Sequence, residues 1–146
     1  MIAGPAMSLL ANLVKSQQVV SFLPEATVLA ATKTMADRKI GSVVVIASDQ
    51  LTGIFTERDL LNRVVSKGLD PHVTPLAVVM SKEVCTSDIT ETVEECYQKM
   101  EQTKCRRLPI LKEGKVVGMV TMRNILEWLV NEMEDENVQL KRYISS

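Results

Sequence analysis

The fold is decided by Gly53-Ile54-Phe55-Thr56-Glu57-Arg58-Asp59, which returns 65 residues later as Gly118-Met119-Val120-Thr121-Met122-Arg123-Asn124. In both copies a glycine precedes two apolar residues, a threonine follows them, and an acid or amide stands three positions further on. Large apolar residues favour a buried strand, and threonine is a preferred residue immediately before a helix. The pattern therefore predicts, in each copy, a strand that is followed directly by a helix.

The repetition extends without a gap over 27–65 and 92–130. Nine of the 39 paired positions are identical, and the apolar positions match more widely. The identical pairs are Thr27/Thr92, Val28/Val93, Met35/Met100, Lys39/Lys104, Gly53/Gly118, Thr56/Thr121, Arg58/Arg123, Leu61/Leu126 and Val65/Val130. A constant offset over this length indicates an internal structural repeat.

Each copy predicts the same order of elements: an extended segment, a helix, two strands joined by a tight turn, and a closing helix. Thr92 and Glu95 form a T-x-x-E capping box, which marks the start of the first helix in copy two. The predicted segments are Gln18–Phe22, Thr27–Arg38, Ser42–Ala47, Leu51–Thr56 and Glu57–Ser66 in copy one, and Glu83–Thr86, Thr92–Lys104, Arg107–Lys112, Val116–Thr121 and Arg123–Met133 in copy two.

These elements predict an α/β (α+β) fold of two tandem βαββα repeats. Because neither unit can bury its sheet alone, the two are expected to pack face to face in pseudo-twofold symmetry. The predicted boundaries are an N-terminal helix at 1–17, repeat one at 18–67, a linker at 68–78, repeat two at 79–134 and a C-terminal tail at 135–146.

Composition narrows the classes of function. The net charge is −1 and aromatic residues make up 3% of the chain, which disfavours binding of nucleic acid or of an acidic membrane. The first basic residue is Lys15, and no stretch has the length of a membrane span, so we expect a cytoplasmic protein.

Catalytic and metal-binding signals are also missing from the sequence. The single histidine, His72, lies in the predicted linker, and no nucleophile elbow or glycine-rich phosphate loop is present. No His, Cys and Asp residues have the spacing of a metal site. We therefore expect no enzyme activity and no metal. Three cysteines, Cys85, Cys96 and Cys105, are expected to be reduced thiols.

The doubled G-h-h-T-x-x-D turn resembles the CBS domain, as do residues 39–45 and 105–110, which open the second strand of each copy. Two such units in order resemble a stand-alone CBS-domain pair, or Bateman module, over about residues 18–132. The resemblance implies a homodimer that binds AMP, ADP, ATP or a related adenosyl compound between its repeats. It also implies that the nucleotide signal passes to a regulated partner protein, whose identity the sequence does not give.

The resemblance also implies which residues contact the ligand. Thr56 and Asp59 of copy one and Thr121 of copy two would hold phosphate or ribose, since a carboxylate accepts from both hydroxyls of a diol. A helix that begins at this turn adds a positive potential suited to phosphate. The residues implied to border the base are Val20, Ser21, Val84, Cys85 and Thr86.

Copy two departs from the pattern at Asn124, which stands where the family has an acid. An amide has one acceptor oxygen, so it cannot accept from both diol hydroxyls through two oxygens. We therefore expect the site at Asp59 to be the better one.

Four arginines are candidates for phosphate contacts. Arg106 and Arg107 replace Gly41 and Ser42 of copy one, and their guanidinium groups suit phosphate oxygens. A solvated turn is the alternative for this pair. Arg58 and Arg123 recur beside the diol position and suit either a phosphate or an ion pair at an interface.

Other interpretations remain open at this point. Thr56 and Thr121 are equally suited to capping a helix, and Asp59 to lying in the first turn of one. The whole chain would then be a ligand-free structural oligomerisation module. A redox-partner regulator is the third hypothesis, and it requires a reactive cysteine.

Overall fold

The computed structural model describes residues 9–15 and 17–145. Copy one and the segments around it contain α1 (Leu9–Val14), β1 (Ser21–Phe22), α2 (Val28–Arg38), β2 (Ser42–Ala47), β3 (Gln50–Thr56), α3 (Glu57–Asp59, continued by a π-helix at Leu60–Val65) and α4 (Leu76–Val79). Copy two contains β4 (Ser87–Asp88), α5 (Val93–Thr103), β5 (Arg107–Lys112), β6 (Lys115–Thr121) and α6 (Met122–Ser145). This is the predicted repeat of two βαββα units.

The two sheets have the same topology. In the order β1-β2-β3 and β4-β5-β6, the first pair of strands is parallel and the second antiparallel. Each antiparallel pair shifts register once, between Val45 and Ile46 in copy one and between Ile110 and Leu111 in copy two. These shifts are 65 residues apart, so the two copies share even the position of this irregularity in strand pairing.

The first helix of each copy begins and ends in the same way. Thr27 and Thr92 cap α2 and α5, and the predicted capping box of Thr92 with Glu95 is present. The helices end at Lys39 and Lys104, which adopt left-handed conformations with φ of 56° and 59°. Left-handed backbone at non-glycine residues is uncommon and commonly closes a helix.

The extended segment of copy two was predicted at Glu83–Thr86, and that placement is wrong. The strand is β4, where Ser87 pairs with Ile110 as Phe22 pairs with Val45 in copy one. Thr86 lies just before the strand, and its carbonyl accepts from Nζ of Lys99 at 2.7 Å. The 65-residue offset applied to β1 gives 86–87, which overlaps β4 at Ser87.

The helix before each repeat packs into the core of the other repeat. Leu10 and Val14 of α1 join the core of copy two, whereas Leu76 and Val79 of α4 join the core of copy one. The predicted linker thus contains a packed helix at its end. The first eight residues of the predicted N-terminal helix at 1–17 lie outside the described residues.

Two glycines allow this exchange. A Cβ on Gly118 would lie 2.5 Å from Cβ of Val14, and a Cβ on Gly53 would lie 2.6 Å from Sδ of Met80. Each glycine therefore makes room on its strand for the helix or segment that precedes the other repeat. Both cores are aliphatic, apart from Phe55 in the first.

Candidate functional site

A cleft of about 520 Å³ lies between the two copies. Copy one contributes the segment 17–20 and residues 39–44, which lead from the end of α2 into β2. Copy two contributes Arg107, Val116, Gly118, Met119, Thr121, Arg123 and Asn124. Its volume is that of a small-molecule site, and it opens where β6 ends and α6 begins.

The turn at this cleft is held by a reciprocal cap. The backbone N–H of Thr121 donates to Oδ1 of Asn124 at 2.9 Å, and the N–H of Asn124 donates to Oγ1 of Thr121 at 3.1 Å. The Thr121 hydroxyl therefore acts as an acceptor in the cap and keeps its own hydrogen available for a ligand. The capping interpretation of this threonine and its role in a site are compatible.

Asp59 makes the same cap in copy one but also has further partners. Its Oδ2 accepts from the N–H of Thr56 at 3.0 Å, while Oδ1 accepts from Oγ of Ser81 at 3.0 Å and lies 3.5 Å from Nε of Arg63. Asp59 is 6% exposed. The carboxylate is therefore engaged by Arg63 of its own copy and by Ser81 of the segment that leads into copy two, and it does not line the cleft.

The described cleft lies on the Asn124 side, and the expectation that the site at Asp59 is the better one stays a prediction. Val20 and Thr121 both line this cleft, so the segment before β1 faces the turn of copy two. Ser21 lies in β1 and is exposed. The other candidates that do not line this cleft are Thr56, Arg58, Val84, Cys85 and Thr86.

The arginines divide in the same way. Arg107 and Arg123 line the cleft, whereas Arg106 is exposed outside it and its carbonyl accepts from the N–H of Met122 at 2.8 Å. Arg123 also forms an exposed ion pair with Glu127, with Nε and Oε1 3.1 Å apart. Of the four candidate arginines, Arg107 and Arg123 are thus the two that can contact a ligand in the cleft.

Gln17 and Lys39 are among the lining residues that were not predicted from the sequence. Gln17 accepts from the N–H of Met119 at 2.8 Å and donates to its carbonyl at 3.0 Å, which attaches the N-terminal segment to β6. No repeat signal marks Gln17, because its counterpart is Lys82. Lys39 was visible as an identity with Lys104, but its position depends on the left-handed end of α2.

Thiols and charged clusters give no second site in the described part of the chain. All three cysteines are free, and burial raises the pKa of the fully buried Cys96. Among the described residues no three His, Cys, Asp or Glu side chains are grouped to hold a metal ion. Within the same residues no helix combines the length and apolar character needed to cross a membrane.

Two βαββα repeats with a cleft between them define a paired-repeat module. The CBS-domain model matches residues 12–66 and 76–131, and the chain belongs to the CBS-domain family. The CBS domain-containing protein YhcV of Bacillus subtilis is 32% identical over 120 residues, covering 82% of this chain and 83% of that protein. An uncharacterized protein of Methanopyrus kandleri is 37% identical over 128 residues, 84% of this chain and 65% of that protein.

Solved structures agree with this assignment. A CBS-domain containing protein from Agrobacterium tumefaciens superimposes with a TM-score of 0.72 at 28% identity, covering 81% of this chain and 94% of that one. A hexameric CBS-CP12 protein from bloom-forming cyanobacteria gives a TM-score of 0.71 at 28% identity, covering 80% and 65%. The sequence-based prediction of a CBS-domain pair is confirmed.

Proposed function

We propose that this protein is a cytoplasmic regulatory module that binds an adenosine nucleotide in the cleft at Asn124 and passes that signal to a partner protein. The observation that supports this most directly is the cleft itself, where segments of both repeats meet the start of α6. A ligand held by both repeats stabilises one arrangement of them, which is how binding is converted into a change of shape.

The walls of the cleft suit the parts of a nucleotide. Val20, Ile40 and Val44 supply an apolar surface for a base. The Thr121 hydroxyl and the positive end of the 24-residue α6 are placed for phosphate. Asn124 offers an amide, which can still hydrogen-bond a ribose hydroxyl, although with fewer acceptors than a carboxylate.

Regulation fits the cleft better than catalysis. Among its described lining residues there is no His, Cys, Asp or Glu to act as a general base. The hydroxyls of Ser42 and Thr121 therefore have no activating partner inside the cleft. Such a cleft can hold a ligand without acting on it, as a sensor does.

A thermal-shift experiment tests the proposal, using AMP, ADP, ATP, S-adenosylmethionine and NAD with wild type, Asn124→Ala and Asp59→Ala. Ligand at about 100 times its dissociation constant stabilises by about 2.7 kcal/mol, roughly 5–10 °C for a chain of this size. We expect a shift with at least one nucleotide that Asn124→Ala reduces and Asp59→Ala leaves intact, each against its own unliganded baseline. No shift with any compound would favour the ligand-free structural module.

Self-association is the second part of the proposal. The closing helix of each copy exposes an equivalent apolar pair, Leu61 and Val65 in copy one and Leu126 and Val130 in copy two, at 62%, 64%, 50% and 52% exposure. Apolar side chains repeated on two related surfaces are typical of an interface between identical chains. We propose a homodimer through these helices.

A further inference from the structure

We propose that the cleft selects a ligand with more than one phosphate group, and that Arg107 sets this preference. The inference rests on the proposed nucleotide-binding function. The walls of the cleft carry the cations of Lys39, Arg107 and Arg123. Among the described lining residues there is no carboxylate. Such a surface favours anionic ligands in proportion to their charge.

The charge of the cleft comes from positions where copy two differs from copy one. Arg107 occupies the position of Ser42, which adds a positive charge, and Asn124 occupies the position of Asp59, which removes a negative one. Each of the two replacements shifts the lining by one unit charge in the positive direction. Both replacements line the same cleft, and together they make it more favourable for an anionic ligand.

Arg107 is placed to act across the cleft. It is the first residue of β5 and lies beside Thr121 of β6 in the register of the sheet. Its guanidinium reaches copy one, where Nη2 lies 2.5 Å from the point that a Cβ on Gly41 would occupy. The absence of a side chain at Gly41 therefore leaves room for this arginine to span both repeats.

Arg107 has a carboxylate nearby without being closely paired to it. Oε1 of Glu57 lies 3.0 Å from the same point beside Gly41, yet within the described residues no ion pair joins Glu57 to Arg107 at 4.0 Å or less. The guanidinium thus keeps donors available for a ligand. A second or third phosphate group would meet Arg107, while a monophosphate is served by Thr121 and the start of α6 alone.

The other two cations have different surroundings. Arg123 is exposed and paired with Glu127, so part of its charge is neutralised. Lys39 is exposed, and its flexible ammonium is a point charge that has no fixed planar geometry. Arg107 is half-buried, and its planar fork suits bidentate binding of phosphate.

The test measures dissociation constants for AMP, ADP and ATP by calorimetry at fixed ionic strength and without divalent cations. We expect wild type to bind ATP about tenfold or more tightly than AMP, since each added charge-assisted hydrogen bond contributes at about this level. Arg107→Gln is expected to remove most of this ratio while changing AMP affinity by less than about threefold. Asn124→Asp is expected to reduce the ratio as well, and its cap should persist because Thr56 and Asp59 make the same one.

Arg106→Gln is the matched control, since it removes the same charge from a neighbouring exposed residue outside the cleft. It should retain the preference for ATP. Equal affinity of wild type for the three nucleotides would overturn the inference and leave the proposed function standing. Equal losses in Arg107→Gln and Arg106→Gln would also overturn it, because charge in general and not Arg107 would then set the ratio. Absence of binding by any of the three would overturn the nucleotide-binding proposal itself.

Discussion

The threonines that end β3 and β6 cap the helices after them in the same way, although one partner is an acid and the other an amide. Both caps use one side-chain oxygen of the partner, with distances of 3.0 Å at Asp59 and 2.9 Å at Asn124. Asp59 has a second oxygen, which accepts from Oγ of Ser81, whereas the amide of Asn124 has a single acceptor oxygen. The sequence predicted both turns. It could not indicate that Ser81, 22 residues away, would use the carboxylate that the family resemblance assigned to a ligand.

Asp59→Asn should lower the free energy of unfolding by about 1–3 kcal/mol, because a carboxylate with several donors is replaced by a group with one acceptor oxygen. The expected loss is an effect on folding and not on the cleft. Urea denaturation of wild type and variant measures it, with Arg58→Gln at a nearby exposed position as the control. An unchanged midpoint in Asp59→Asn would contradict the assignment of Asp59 to internal hydrogen bonding.

A second prediction at this scale concerns Cys96, which is fully buried in the core of copy two. Burial raises the pKa of its thiol, so the reactive thiolate is disfavoured at neutral pH. In the double variant Cys85→Ser/Cys105→Ser, a disulfide reagent should label no thiol in native protein and one thiol after unfolding. Rapid labelling of the native double variant would show that Cys96 is accessible and would favour the redox-partner hypothesis.

At the scale of elements, the main feature is the exchange of α1 and α4 between the two cores. The sequence predicted a helix before copy one and a linker before copy two, but periodicity does not say which core an apolar helix joins. The core that each helix joins depends on close contacts at two glycines. Because Gly53 and Gly118 have no side chains, Met80 can pack against the first and Val14 against the second. The identity of Gly53 and Gly118 was visible in the sequence, but the close packing that explains it was visible only in the structure.

Gly118→Ala should destabilise the fold by about 1–3 kcal/mol, because the new methyl group would meet Val14 at 2.5 Å in a packed core. The N-terminal segment should also become more accessible to protease, since Gln17 is attached to the adjacent Met119. Denaturation and limited proteolysis measure the two effects.

Gly41→Ala is the matched control for this substitution. A methyl group there would meet the ends of Arg107 and Glu57, which are flexible side chains that can move aside. We therefore expect a smaller loss of stability than for Gly118→Ala. Equal losses in the two variants would argue against tight packing of α1 on β6.

At the scale of the whole molecule, the repeat is nearly symmetric in backbone and clearly asymmetric in chemistry. Topology, register and caps recur at the 65-residue offset, and for that reason the sequence could predict the architecture. The cleft could not be predicted in the same way, because it combines the segment 17–20 and the start of β2 with the far end of copy two. The family resemblance implied a ligand between the repeats, but the sequence does not indicate which segment of one copy faces which turn of the other.

The exposed apolar pairs on the closing helices are the surfaces through which we propose that two chains associate. A substitution that places a charge on both surfaces, Leu61→Glu/Leu126→Glu, should yield a monomer, because the carboxylates would have to be buried without partners in the interface. Multi-angle light scattering over a range of concentrations measures the mass of wild type and variant. Leu23→Glu, at a leucine with 60% exposure outside these helices, is the control and should leave the dimer intact.

Two outcomes would contradict this prediction. A wild type that is monomeric at all concentrations would exclude the proposed dimer. A double variant that still dimerises would show that the interface lies on another surface. Loss of the dimer with an unchanged melting temperature would show that the exposed apolar pairs are needed for association and not for the fold of the single chain.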